Sequence, residues 1–132
     1  MKTIEKEICN WTRNAMTTAG TYNFEVDEKK FSVRDKVLNV SAKKAFFYLW
    51  DSQIFIVYKN AVYFNFCGYR TNTTKSRINA YLSAFSSGYV CQKNYTLYYN
   101  GVTEIDYTLL YKVENGKIEL YDYDKLWHDL HN

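Results

Sequence analysis

Near the start of the chain, Ile4, Ile8, Trp11 and Ala15 recur at i, i+4, i+7 and i+11. That spacing is one face of an α-helix, so a helix is predicted over residues 4–16, with Gly20 as its stop. The period then changes. "YNFEV" (22–26) reads as a short strand, and "DEKKFSVRDK" (27–36) as a charged connection holding a turn. Across residues 36–67 the runs "KVLNV", "KAFFYLW", "IFIVY" and "AVYFNF" are rich in β-branched and aromatic residues, and Asp51-Ser52 and Lys59-Asn60 separate some of them. They predict an antiparallel meander. In "AVYFNF", Val62, Phe64 and Phe66 point one way and Tyr63 and Asn65 the other, which predicts one core face and one wetter face.

Helical spacing returns at Ile78, Tyr81, Leu82 and Phe85. It predicts a helix over 74–86, with Thr73 or Thr74 as N-cap and Gly88 as the stop. Two Asn-Gly pairs follow, each the signature of a type I′ hairpin turn. In the second hairpin Tyr107, Leu109, Tyr111 and Val113 alternate on one arm, with Ile118 and Leu120 on the other. A last helix, Tyr123 to Leu130, carries Tyr123, Leu126, Trp127 and Leu130 as its stripe, with Asp122 as cap. The expected fold is a single compact α+β domain over 1–132: an antiparallel sheet of about six or seven strands with two or three helices packed on one face.

Composition narrows the function classes. The chain has 132 residues, 47% hydrophobic and 19% aromatic, with 14 tyrosines. It is far from the profile of a disordered chain. The N-terminus lacks the apolar segment of a secretory leader, and the apolar runs are too short to span a bilayer, so a cytoplasmic protein without a membrane partner is expected. Cys9, Cys67 and Cys91 form no CxxC, which points to reduced thiols rather than a metal or redox motif. There is no glycine-rich phosphate loop, GxSxG or HExxH, and the expectation is a protein that is not an enzyme and takes no cofactor. His128 and His131, with Asp122, Asp124 and Asp129, read as a solvated helix face rather than a metal site.

Charge is more informative in its distribution than in its net value of +3. Residues 1–88 hold 13 Lys/Arg against 7 Asp/Glu, and residues 89–132 hold 4 against 7. Between Asp51 and Glu104 there is no acidic residue, while Lys59, Arg70, Lys75, Arg77 and Lys93 all fall there. Arg70, Lys75 and Arg77 crowd the start of the second predicted helix, where the macrodipole favours anions rather than cations. Together with the hydroxyls of Thr73 and Thr74 they suggest a cup for phosphate or for an acidic partner. Tyr69, Tyr95, Tyr98 and Tyr99 lie in the same acid-free stretch and are candidate aromatic contacts, as stacking platforms for bases or as anchors in a protein interface.

The stretch from "AFFYLWDSQIFIVYKNAVYFNFCGY" through "RTNTTKSRINAYL" resembles a loose group of small proteins of bacteriophages and other mobile elements. There a strand pair is followed by a Tyr, a Thr-Thr pair, a basic residue and an Ile-Asn that opens a helix. Tyr69, Thr71, Thr73, Thr74, Arg77, Ile78 and Asn79 carry the match. The resemblance implies a phage-type accessory protein, and such proteins commonly act by binding. Two readings follow: interference with a host nucleic-acid-handling or defence complex, for example a CRISPR-type nuclease, or direct binding of single-stranded DNA or RNA.

Overall fold

The computed structural model describes residues 1–131. In chain order its elements are α1 (Thr3–Tyr22), β1 (Val26–Lys30), β2 (Asp35–Val40), β3 (Lys44–Leu49), β4 (Ser52–Tyr58) and β5 (Ala61–Phe64). There follow α2 (Asn72–Phe85), β6 (Val90–Lys93), β7 (Thr96–Tyr99), β8 (Thr103–Ile105), β9 (Tyr111–Glu114), β10 (Lys117–Leu120) and α3 (Tyr123–Leu130). A seven-stranded sheet runs β1-β2-β3-β4-β5-β9-β10, antiparallel throughout, and β6-β7-β8 form a second, three-stranded sheet. The α+β class is therefore the predicted one, with a second sheet that was not expected.

Register explains which side chains go where. Phe47 pairs with Phe55, Phe55 with Phe64, Val57 with Val62, and Val62 with Val113. Side chains directly opposite share a face, and this face packs against Ile8 and Cys9 of α1 and Ile78, Tyr81 and Leu82 of α2. The Tyr81 ring lies against Phe47 and Phe55, with centroids 4.5 and 5.5 Å apart. Cutting any of these buried rings back to Ala would cost about 3–5 kcal/mol.

The opposite face is not wet. Ile56 pairs with Tyr63 there, and both are covered by Leu126 of α3, together with Ala61 and Leu110. Tyr63 and Asn65 are buried, contrary to the expected alternation, because the last helix packs on the far side of the sheet from α1 and α2. Asp122 caps α3 as predicted, accepting from the N–H groups of Asp124 and Lys125.

Three local expectations shift. Gly20 does not stop α1; the helix ends at Asn23, which adopts the left-handed conformation and donates its N–H to the Ala19 carbonyl. The strand expected at 22–26 does not form, because Tyr22 closes α1; β1 starts at Val26 and runs into the charged connection, an edge strand whose Asp, Glu and Lys resist pairing with another chain. The Asn115-Gly116 hairpin forms as predicted, but Tyr107 and Leu109 precede it in a loop. In that loop the Asp106 carboxylate accepts from the N–H and hydroxyl of Thr108. The Asn100-Gly101 hairpin joins the second sheet, whose inner residues Val90, Leu97, Tyr99 and Ile105 extend the main core.

Candidate functional site

α2 begins earlier than its apolar stripe suggests. Thr71 is the N-cap, its hydroxyl accepting the Thr74 N–H at 3.1 Å, while the Thr71 and Thr74 hydroxyls lie 2.9 Å apart. Arg77 therefore lies in the second turn, and it shares the buried side of α2 with Thr74, Ile78 and Tyr81. Arg77 is 0% exposed. Its Nε and Nη2 donate to the two oxygens of Asp35 at 2.8 and 3.2 Å, and its Nη1 donates to Glu5 Oε2 at 2.8 Å. Glu5 also accepts from the Ser76 hydroxyl and, through Oε1, from the Lys2 N–H at the start of α1. Burial alone would raise the Glu5 carboxyl; the bonds from Ser76, Lys2 and Arg77 outweigh it and hold the group below the ordinary carboxylate range. Burial likewise opposes the Arg77 charge, and the hydrogen bonds to Asp35 and Glu5 prevail and raise its pKa. Arg77 is thus an internal clamp joining α1, α2 and β2, and it is withdrawn from any surface cup.

The other predicted cations do not converge either. The Arg70 guanidinium stacks on the Tyr107 ring, 4.2 Å from its centroid. Arg70 and Tyr107 line a cleft of about 560 Å³ with Glu104 and Asp106. Asp106 is held below its ordinary pKa by the two Thr108 bonds and, secondarily, by Arg70. The chain's acid-free stretch is therefore not an acid-free surface, because β8 and the loop after it return carboxylates, Glu104 and Asp106, to it. The Lys75 ammonium reaches the Gln92 side chain at 3.4 Å, and that of Lys93 lies over the Tyr98 ring at 5.8 Å.

Of the tyrosines singled out, Tyr69 is 53% and Tyr95 82% exposed, Tyr98 is half-buried, and Tyr99 is buried with its hydroxyl donating to the Ser87 carbonyl at 2.8 Å. Tyr99 is core and cannot make a partner contact.

What the fold does assemble at the start of α2 is an aromatic cleft of about 280 Å³. Leu49 and Ile54, both core residues, contribute apolar lining. Trp50 and Tyr69 add aromatic rings, and Arg34, Ser52, Thr71, Thr73 and Thr74 add polar groups. Trp50 is 60% exposed and occupies the β3–β4 turn at φ 55°. Its backbone N–H donates to the Arg34 carbonyl at 2.6 Å, tying that turn to the β1–β2 turn. A left-handed conformation costs a bulky residue about 1–2 kcal/mol, a cost that Asn or Gly at the same turn would largely avoid. Tyr95, in the β6–β7 turn, shows the same combination of positive φ (67°) and high exposure. Arg34, whose Nε is 3.7 Å from Asp35, supplies the cation of the cleft.

Neither Trp50 nor Arg34 follows from residue patterning. Trp50 reads as the end of a strand, and Arg34 as one charge among many in a polar connection. The signal that could have found Trp50 is a bulky aromatic residue, a poor turn former, directly before Asp51 where the chain must turn; no comparable signal marks Arg34. Among the described residues no group of three or more His, Cys, Asp or Glu is placed to hold a metal ion, and no helix is long and apolar enough to cross a membrane.

Comparison with known proteins identifies one family. The model for the Kyanoviridae Gp96 protein matches residues 1–119, a span that contains α1, α2, the second sheet and the whole Trp50–Tyr69 cleft and stops before α3. No curated protein and no solved structure matches the chain. With nearly its whole length inside that match, the chain belongs to the Kyanoviridae Gp96 family of phage proteins.

Proposed function

We propose that this chain is a non-enzymatic phage accessory protein that binds a host protein complex, one that handles nucleic acid or defends against it, such as a CRISPR-type nuclease, and interferes with its action. The observation that carries the reading is the pairing of two exposed aromatic residues, Trp50 and Tyr69, around a cleft with an apolar lining. Tryptophan, tyrosine and arginine are the residues that dominate binding energy at protein interfaces, and all three line this cleft. The host class rests on the family being a phage family and on nothing in the geometry.

Direct binding of single-stranded DNA or RNA is the second reading, favoured by Lys93 over the Tyr98 ring and by the exposed Tyr95. It is the weaker one. Nucleic-acid affinity needs several cations tracking phosphates, and here Arg77 is internal, Arg70 shares its cleft with carboxylates and Lys75 reaches Gln92.

The experiment is capture from host lysate on tagged protein, with and without nuclease, using the native chain and W50A/Y69A. A host complex that survives nuclease, is lost in the double variant, and has its nuclease or polymerase activity lowered by the native protein is the expected result. Nucleic acid alone, lost on nuclease treatment and weakened about 10³-fold or more between 50 and 200 mM salt, would replace this reading with the second.

A further inference from the structure

Resting on the reading of Trp50 and Tyr69 as a protein-binding face, we infer that the cleft they line takes an aromatic or large aliphatic side chain of the partner, presented next to a carboxylate. The lining of the cleft argues for the first half. Leu49 and Ile54 belong to the hydrophobic core, and Trp50 and Tyr69 bring aromatic rings to the same space, so an inserted apolar group would leave water on several sides at once. Its volume, about 280 Å³, has room for one large side chain rather than a peptide strand.

Charge complementarity argues for the second half. Arg34 lines the cleft and no carboxylate does. Thr71, Thr73 and Thr74 bring the positive end of α2 to the same lining. A carboxylate one or two residues from the inserted side chain would meet Arg34 and this helix end together. A nucleobase with its phosphate has the same outline. It is disfavoured because Arg34 is the one cation in the lining, so a second or third phosphate along a strand would find no partner there.

The test is a titration of the ¹⁵N-labelled full-length chain, followed through the Trp50 indole and the Thr71–Thr74 amides. Three probes are used: capped peptides Asp-Xaa-Asp-Gly with Xaa as Phe, Trp or Leu; the same peptides with both Asp replaced by Lys; and oligothymidylate. The expected result is saturable shifts confined to those signals for the acidic peptides, at least 10-fold weaker for the lysine series, and abolished in W50A/Y69A and in R34Q. Equal response to acidic and basic peptides overturns the carboxylate half. Stronger response to oligothymidylate overturns the inference in favour of nucleic acid, and no response to any probe overturns it outright. The capture experiment separates this from the broader reading. A host complex retained by W50A/Y69A leaves the protein a binder whose contact lies elsewhere, whereas no captured complex at all removes the broader reading itself.

Discussion

Replacing Arg77 with methionine tests the internal clamp most directly. Met matches much of the aliphatic volume of arginine but makes none of its hydrogen bonds. The variant leaves two carboxylates, Glu5 and Asp35, inside the protein at 0–1% side-chain exposure without their shared cation. Removing one partner from a buried ion pair costs about 3–5 kcal/mol. Asp35 keeps Arg34 at 3.7 Å as a weaker, more exposed partner, but Glu5 loses the cation it is paired with, so the loss belongs at the upper end, about 5 kcal/mol, against a total stability of about 5–15 kcal/mol for a domain. At roughly 3–5 °C per kcal/mol for a chain of this length, Tm at pH 7 should fall on the order of 15–25 °C. Circular dichroism melts and urea titrations of the native chain and R77M measure it.

The pH dependence separates charge from packing. In the native chain Glu5 is held below its ordinary value, so its contribution is present above the unfolded pKa of about 4.3 and is lost as pH falls through the lower folded value. Without Arg77, burial works against the Glu5 charge with less opposition, and protonation relieves it. The gap between native and R77M should therefore narrow from pH 7 to pH 4, and E5Q/D35N/R77M should recover a large part of the loss at pH 7. A loss under about 1 kcal/mol at pH 7, or a gap that is the same at both pH values and in the triple variant, would refute the electrostatic account.

Four further outcomes are expected. W50A/Y69A should change unfolding free energy by no more than about 0.5 kcal/mol in either direction, since both residues are exposed; a larger loss in urea melts would make them structural. The Tyr107 hydroxyl is buried with no hydrogen-bond partner among the described residues, so Tyr107→Phe should leave stability unchanged or raise it by about 1 kcal/mol in the same melts. Gly88 and Gly116 both adopt positive φ, but a Cβ at Gly88 would collide with the Tyr99 ring and hydroxyl while one at Gly116 meets nothing. G116A should cost about 1 kcal/mol and G88A clearly more. Cys9 is buried and its thiol is pushed up to about 11, by burial first, so alkylation followed by mass spectrometry at pH 8 should modify it only after unfolding.

Periodicity made the helices and the meander legible because those features are local. Ile8 of the predicted first stripe is core, with Ile4, Trp11 and Ala15 packed against it, and the Asn115-Gly116 turn sits where its sequence requires φ > 0 twice in succession. What escaped depends on contacts between distant parts of the chain. The alternation in "AVYFNF" cannot reveal that α3 returns to cover Tyr63. The apolar stripe of α2 begins at Ile78, so it says nothing of the polar turn before it, and the true cap, Thr71, lies two or three residues ahead of the Thr73 or Thr74 that the stripe suggests. Nor can the stripe reveal that Arg77, one turn before Tyr81, meets Glu5 and Asp35 from distant parts of the chain. The tyrosines show the same limit: Tyr95 and Tyr99 belong to one hairpin, yet one stands in solvent at its tip and the other faces the core.

Positive charge at a helix start is costly in isolation, and its presence here has two separate explanations. Arg77 answers to anions the protein itself provides. Glu5 stands in the first turn of α1, a favourable place for a carboxylate, and Asp35 opens β2, so the guanidinium joins two elements that meet nowhere near each other in sequence. The clamp also fixes the cleft. Asp35 adjoins Arg34, whose carbonyl receives the Trp50 N–H, and Arg77 belongs to the helix whose first turn supplies Thr71, Thr73 and Thr74. Loss of Arg77 should therefore loosen the position of Trp50 relative to α2 even in molecules that remain folded. Arg70 and Lys75 are satisfied nearer the surface, by the Tyr107 ring beside Asp106 and by Gln92. Of the three cations, Arg77 alone braces the elements that frame the Trp50–Tyr69 cleft, while Arg70 and Lys75 are engaged outside it.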